Sequence, residues 1–144
     1  MSDRQDPYHA YNFKVLIGQE TVGHFTECSG IGAHVEVIDY RESGQGQVVK
    51  RLPGRVTYKD VTLSYGLTNE LALWNWFQAV VAGKVERKNI SIVLIGSDGA
   101  EEVMRWDLID CWPTNWEGAA LNALSQEVAV ERLTLTYETL KRIQ

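Results

Sequence analysis

Tyr11, Phe13, Val15 and Ile17 are apolar and Asn12 and Lys14 between them are polar, a period of two that predicts a strand of about seven residues ending at Gly18. Gly18-Gln19-Glu20 then turns the chain. Thr21 to Ser29, apolar at Val22, Phe25 and Cys28, is the expected return strand, closing at Ser29-Gly30-Ile31-Gly32. His34 to Glu42 reads as a third strand, with Val35 and Val37 on one face and Ile38 and Tyr40 on the other. A strand apolar on both faces is covered by its own core on one side and by a neighbouring subunit on the other, or else carries a bulge that reverses its register.

Ser43 to Arg55 holds Gly44, Gly46, Pro53 and Gly54 around Gln45, Gln47 and an apolar-basic centre of Val48, Val49, Lys50, Arg51 and Leu52. It is expected to be a long loop or extended hairpin that either binds something or folds over its own domain. Val56 to Leu67 is the clearest strand. Val61, Leu63, Tyr65 and Leu67 form its core face, Thr62, Ser64, Gly66 and Thr68 a small polar face, and a change of parity near Lys59-Asp60 predicts a bulge.

The period then changes to that of a helix. Thr68 or Asn69 can cap it and Gly83 can end it, so a helix of about thirteen residues is expected over Glu70 to Ala82. Leu73, Trp74, Trp76, Phe77, Val80 and Val81 fall on one arc, which a single helix laid on a sheet would bury as core. Ile90 to Ile95 is a near-continuous apolar strand, followed by the turn Gly96-Ser97-Asp98-Gly99 and a partner strand over Val103 to Trp112 that Pro113 should break. Trp112 to Gly118 reads as a turn, Ala119 to Ser125 as a short polar or helical link, and Gln126 to Thr139 as a last strand. About seven strands and one helix in this order predict a mainly β fold: an antiparallel β-sandwich or barrel with one flanking α-helix. Residues 1–10 form an N-terminal arm and 11–144 a single domain.

Composition narrows the function more than the fold. The chain has 144 residues, of which 44% are hydrophobic and 23% charged, enough apolar material for a core without staples. A formal net charge of −5 argues against gripping phosphate backbones, so no nucleic-acid partner is expected. No window approaches the roughly 20 apolar residues of a membrane helix. The polar start, Met1 to Asp6, has no secretory signal pattern, and synthesis in the cytoplasm follows as the expectation. Cys28 and Cys111, far apart and outside any C-x-x-C pattern, fit reduced buried thiols, with a disulfide as the alternative.

Catalytic chemistry is missing. His9, His24 and His34 sit in no metal-binding spacing, and there is no nucleophile elbow, no phosphate loop and no dinucleotide-binding glycine pattern. No catalytic, cofactor or metal residue is expected, and an injected effector or hydrolase is therefore disfavoured. Trp74, Trp76 and Phe77 could instead wall a small β-barrel that binds an apolar ligand, the alternative from another class.

A resemblance bears on this choice. Asp6-Pro7-Tyr8, Tyr11-Asn12-Phe13, Cys28-Ser29-Gly30, Tyr40-Arg41-Glu42, Lys50-Arg51-Leu52-Pro53-Gly54, Leu73-Trp74-Asn75-Trp76, Arg87-Lys88-Asn89, Arg105-Trp106 and Trp112-Pro113-Thr114-Asn115-Trp116-Glu117-Gly118 resemble, in order, the tail tube proteins of contractile phage tails and extracellular contractile injection systems. The resemblance implies a homo-hexameric ring whose sheets join into an inner β-barrel, rings stacked into a hollow tube, a contractile sheath around it, baseplate and spike components below it, and a lumen able to hold cargo. The finished particle is phage-tail-like, and the subunit does not insert into a membrane. It also implies ring and stacking contacts through Ile38, Tyr40, Gln45, Gln47, Val48, Val49, Lys50, Arg51 and Leu52. Thr62, Ser64 and Thr68 become candidates for the lumen wall, and Leu73, Trp76, Phe77 and Val80 the core of the helix.

Overall fold

The computed structural model describes residues 13–18, 20–21, 25–41, 49–66, 71–96, 99 and 101–143. Among them the chain forms ten strands and one helix: β1 (Phe13–Ile17), β2 (Glu20–Thr21), β3 (Phe25–Ser29), β4 (Ala33–Tyr40), β5 (Lys50–Tyr58), β6 (Val61–Gly66), α1 (Ala72–Val81), β7 (Lys88–Ile95), β8 (Glu102–Glu117), β9 (Val130–Thr136) and β10 (Thr139–Arg142). All pairings are antiparallel.

The 16-residue strand β8 organises the rest. Its first half lies between β7 and β10, and β1 and β2 extend that sheet beyond β7. Its second half pairs with β9, which continues to β6 and β3 as a four-stranded second sheet. The crossing between sheets falls where Asp110 takes a positive φ of 56° and the register slips on both sides, between Lys88 and Ile90 opposite it and again between Pro113 and Asn115. Asn89 Oδ1 accepts the Asp110 N–H at 3.1 Å and steadies this bend. Such irregularities add local twist, which lets one strand serve two sheets.

Pro113 therefore does not end the strand as the sequence predicted. Its missing N–H is tolerated because, among the described residues, β8 has a partner on only one side there and is an edge of the second sheet. Three other expected strands are each divided. Thr21 to Ser29 splits into β2 and β3, which belong to different sheets; Val56 to Leu67 breaks at Lys59-Asp60; and Gln126 to Thr139 gives way at Tyr137-Glu138 to β10.

The two sheets and the helix share one core. Val15, Ile90, Ile92 and Leu108 come from the first sheet, Val61, Leu63, Leu133 and Leu135 from the second, and Leu73 and Trp76 from α1. Each such aliphatic side chain stabilises the fold by about 1.5–3 kcal/mol when fully buried. The helix is shorter than predicted, and its N-cap Leu71 makes no side-chain capping bond. Packing rather than capping holds it. Trp74 meets Trp116 edge-on at 4.6 Å, Trp76 donates from Nε1 to the Glu86 carbonyl at 2.7 Å, Phe77 packs against the core and Val80 is half-buried.

Candidate assembly surfaces

Two parts of the fold are finished on one side only. The first is the β4–β5 ribbon. Among the described residues these strands pair with each other and with no other strand, and every residue of β4 is exposed. Val35, Val37, Ile38, Tyr40, Leu52 and Val56 nonetheless present large apolar side chains to solvent, 45–52% exposed. The register slips between Val35 and Val37 because β5 carries an extra residue opposite Glu36; β4 itself alternates regularly, so Val35 and Val37 share one face and Ile38 and Tyr40 the other, and the ribbon is apolar on both sides. Gly54 lies at this slip, where a Cβ would come within 2.9 Å of Ile38 Cδ1.

The root of the ribbon is rigid. Gly30 has a φ of +94°, and a side chain there would be driven into the Asp60 carbonyl oxygen. The Lys59 N–H donates to the Gly32 carbonyl at 2.9 Å, and the Tyr137 hydroxyl donates to the Lys59 carbonyl. Burial pushes the Tyr137 hydroxyl up to about 12, so it remains a proton donor at any physiological pH.

Of the residues expected in assembly contacts, Ile38 and Tyr40 lie on β4, Lys50, Arg51 and Leu52 on β5, and Val49 just before it. Leu52 stands opposite Ile38, and Arg51 opposite Asp39, with Nε 3.4 Å from Oδ1. The expected loop Ser43 to Arg55 is thus a paired strand from Lys50 onward. Gln45, Gln47 and Val48 lie outside the described residues.

The second surface is the outer face of the four-stranded sheet. Cys28, Leu63, Leu133 and Trp116 stand in one cross-strand row toward the core. The alternate rows are polar across all four strands. One reads Ser29, Thr62, Thr134 and Asn115, the other Glu27, Ser64, Arg132 and Glu117. Thr62 and Thr134 join through their hydroxyls at 3.3 Å. Ser64 is only 4% exposed, because it is short and lies between the opposed Glu27 and Arg132. The outermost groups of this row are the charges that flank Ser64. Thr68 lies outside the described residues. Sequence reading missed Arg132 and Thr134, although their alternation with the buried Leu133 and Leu135 was available.

Both edges of this sheet are open among the described residues. The outer side of β3 has no partner, nor has the second half of β8 on the side away from β9. The two edges run in opposite directions, as alternation over four antiparallel strands requires, so copies can pair edge to edge in the antiparallel manner. Unpaired edges of this kind are templates for association.

The described residues contain no group of acidic, histidine or cysteine side chains able to hold a metal, and no helix long and apolar enough to cross a membrane. Both cysteines are free, and burial pushes each thiol up to about 12, which keeps them protonated and unreactive at neutral pH.

Antiparallel sheets around one core with a single flanking helix place the chain in the class of mainly β proteins, here with an apolar ribbon, a polar outer sheet face and open sheet edges among the described residues. Residues 9–141 match the T4-like virus tail tube protein gp19 family, and the chain belongs to that family. No curated protein matches it. Among solved structures it is similar to a chain of the sheath-tube complex of the PVC extracellular contractile injection system in its extended state, with 28% identity, a TM-score of 0.86, and coverage of 95% of this chain and 91% of that one. It is also similar to a chain of the tube-terminating cap of the anti-feeding prophage, with 30% identity, a TM-score of 0.90, and coverage of 99% and 95%. Hcp1 from Flavobacterium johnsoniae shares the fold at 9% identity and a TM-score of 0.59 over 92% and 94% of the two chains. The protein is a structural subunit of the inner tube of a contractile injection apparatus.

Proposed function

We propose that copies of this chain form a hexameric ring in which the open edge of β3 pairs with the second half of β8 of the next copy, closing an inner β-barrel. The four-stranded sheet with a core face, a polar face and two oppositely directed open edges carries this reading. Closure removes both edges of this sheet, and four strands per copy keep the alternation intact around the ring. The polar rows then line a bore past which cargo slides without meeting an apolar patch. Rings stack into the tube, a contractile sheath encloses it, and a baseplate with its spike starts it. Related chains stand in the sheath-tube complex of one injection system and in the 6-fold symmetrised baseplate of another. The subunit is made in the cytoplasm and ends in a phage-tail-like particle, where its role is mechanical and involves no reaction.

Residues 1–10, expected as an arm on a single domain, lie outside the described residues. The aromatic arc of α1 does not favour a ligand barrel, since Trp76 is buried in the core and Trp74 rests on Trp116.

Electron microscopy of the purified protein at rising concentration, alone and with its sheath and baseplate proteins, tests the reading. Six-membered rings or hollow tubes are expected. A protein that stays monomeric and never enters a particle beside those partners contradicts it.

A further inference from the structure

The connection between β8 and β9, residues 118–129, is apolar and turned outward. Leu121, Leu124 and Val128 are 81%, 93% and 78% exposed, more than any apolar residue of the ribbon. The segment is nevertheless held in shape. Asn122 accepts the Leu124 N–H on Oδ1 and the Ser125 N–H on its carbonyl, both at 3.0 Å, and the Ser125 hydroxyl accepts the Glu127 N–H at 3.1 Å. Asx and Ser turns of this kind fix the backbone without covering it. Leu121, Val128, Val130 and Arg132 help to line a concavity of about 400 Å³ beside it. A fixed loop that shows three large apolar side chains to water is an interaction surface.

The register places this loop opposite the ribbon. The ribbon leaves the four-stranded sheet beyond Ser29 and Val61, while residues 118–129 leave it beyond Glu117 and Val130, at the end marked by Phe25 and Gly66. Strand ends of a closed barrel lie at its two rims. An apolar projection at one rim and an apolar receiver at the other make a head-to-tail contact, which propagates into an open stack. Charge agrees with this pairing. The ribbon residues 33–41 and 49–58 carry Arg41, Lys50, Arg51 and Arg55 against Glu36 and Asp39, hence 4 − 2 = +2, whereas the loop has Glu127 as its one charge and Glu117 at its base.

We infer that residues 118–129 are the docking surface for a second copy of this chain, namely the β4–β5 ribbon of a subunit in the adjoining ring. This deepens the tube reading and rests on it.

The test uses the full chain with its partners present. Leu121→Asp combined with Leu124→Asp should leave the far-ultraviolet circular dichroism and the rings intact while tube yield, counted by electron microscopy, falls at least tenfold. A second measurement covers contacts that survive this change. Copies carrying Leu124→Cys are mixed with copies carrying Val35→Cys, Val37→Cys or Ile38→Cys, assembled and oxidised, and at least one mixture should give intermolecular dimers absent from the unaltered chain, whose Cys28 and Cys111 every variant retains, and from either variant assembled alone. Wild-type-like tube yield from the double variant, or tubes in which none of the three mixtures cross-links, overturns the inference and leaves the tube reading standing. If the unaltered chain forms no rings or tubes with its partners, the tube reading itself fails and takes the inference with it.

Discussion

Trp76 shows how a residue that looks functional becomes structural. Three aromatics on one helix turn could form a ligand platform, yet the Trp76 ring is buried, its N–H is satisfied by Glu86, and Lys88 Nζ lies 5.4 Å above it. Trp76→Ala should cost about 3–5 kcal/mol of stability through the cavity it leaves, measured by denaturant unfolding of the monomer. A variant as stable as the parent would show that the helix is not part of the core. Asp107 offers a pH-dependent case. Partial burial raises its pKa, but hydrogen bonds from Arg105 Nε at 2.9 Å and Ser91 Oγ at 2.8 Å outweigh that and hold the carboxyl below its usual value of 3.8. A carboxyl depressed in the folded state contributes stability above its unfolded pKa and loses it as pH falls through the folded one. Asp107→Asn should therefore destabilise the protein by about 1 kcal/mol at pH 7, with the difference shrinking as pH drops below 3.8. A difference that holds constant from pH 7 to acid would remove the carboxylate from this role.

The ribbon is the element in which sequence and assembly meet. Leu52→Asp adds a charge to an exposed strand, so the monomer should fold as before, while a contact buried in the tube would have to desolvate that charge at a cost of several kcal/mol. Loss of tubes with an unchanged unfolding midpoint is the expected result, and normal tubes would remove Leu52 from the interface. Gly30→Val should act differently, destabilising the monomer itself by more than about 1 kcal/mol, since it combines a positive φ with a clash at Asp60. Urea titration separates the two effects. Local pattern revealed β1, β4, β7 and the helix, because their periods are set by residues within one element. The irregularity at Lys59-Asp60 was legible as a change of parity, although as a bulge rather than a break between two strands; the passage of β8 through Pro113 was not, since which N–H needs a partner depends on strands far away in sequence. The candidate surfaces were half legible. The apolar ribbon residues stood out, but the row of Glu27, Ser64, Arg132 and Glu117 exists only once β3, β6, β9 and β8 are side by side. Leu121 and Leu124 read as part of a link because they stand outside any strand or helix, where no period marks an apolar residue.

At the scale of the molecule, a chain with a net charge of −5 and a fully formed core still leaves apolar side chains exposed at both ends of the four-stranded sheet and, among the described residues, both edges of that sheet open. A monomer is poorly served by such a surface, whereas a ring and a stack use all of it. In the proposed ring this polar face sets the bore, and the row of Glu27, Arg132 and Glu117 brings 1 − 2 = −1 per copy to it. The central claim is this orientation, with β3 sealed against β8 of the next copy. A reconstruction of the assembled tube by electron cryo-microscopy tests it most directly. Six-fold rings whose bore is lined by Glu27, Thr62, Arg132 and Glu117, with β3 and the second half of β8 in one ladder across each seam, are the result the account predicts; a bore lined by another face, or seams formed by other strands, would contradict it.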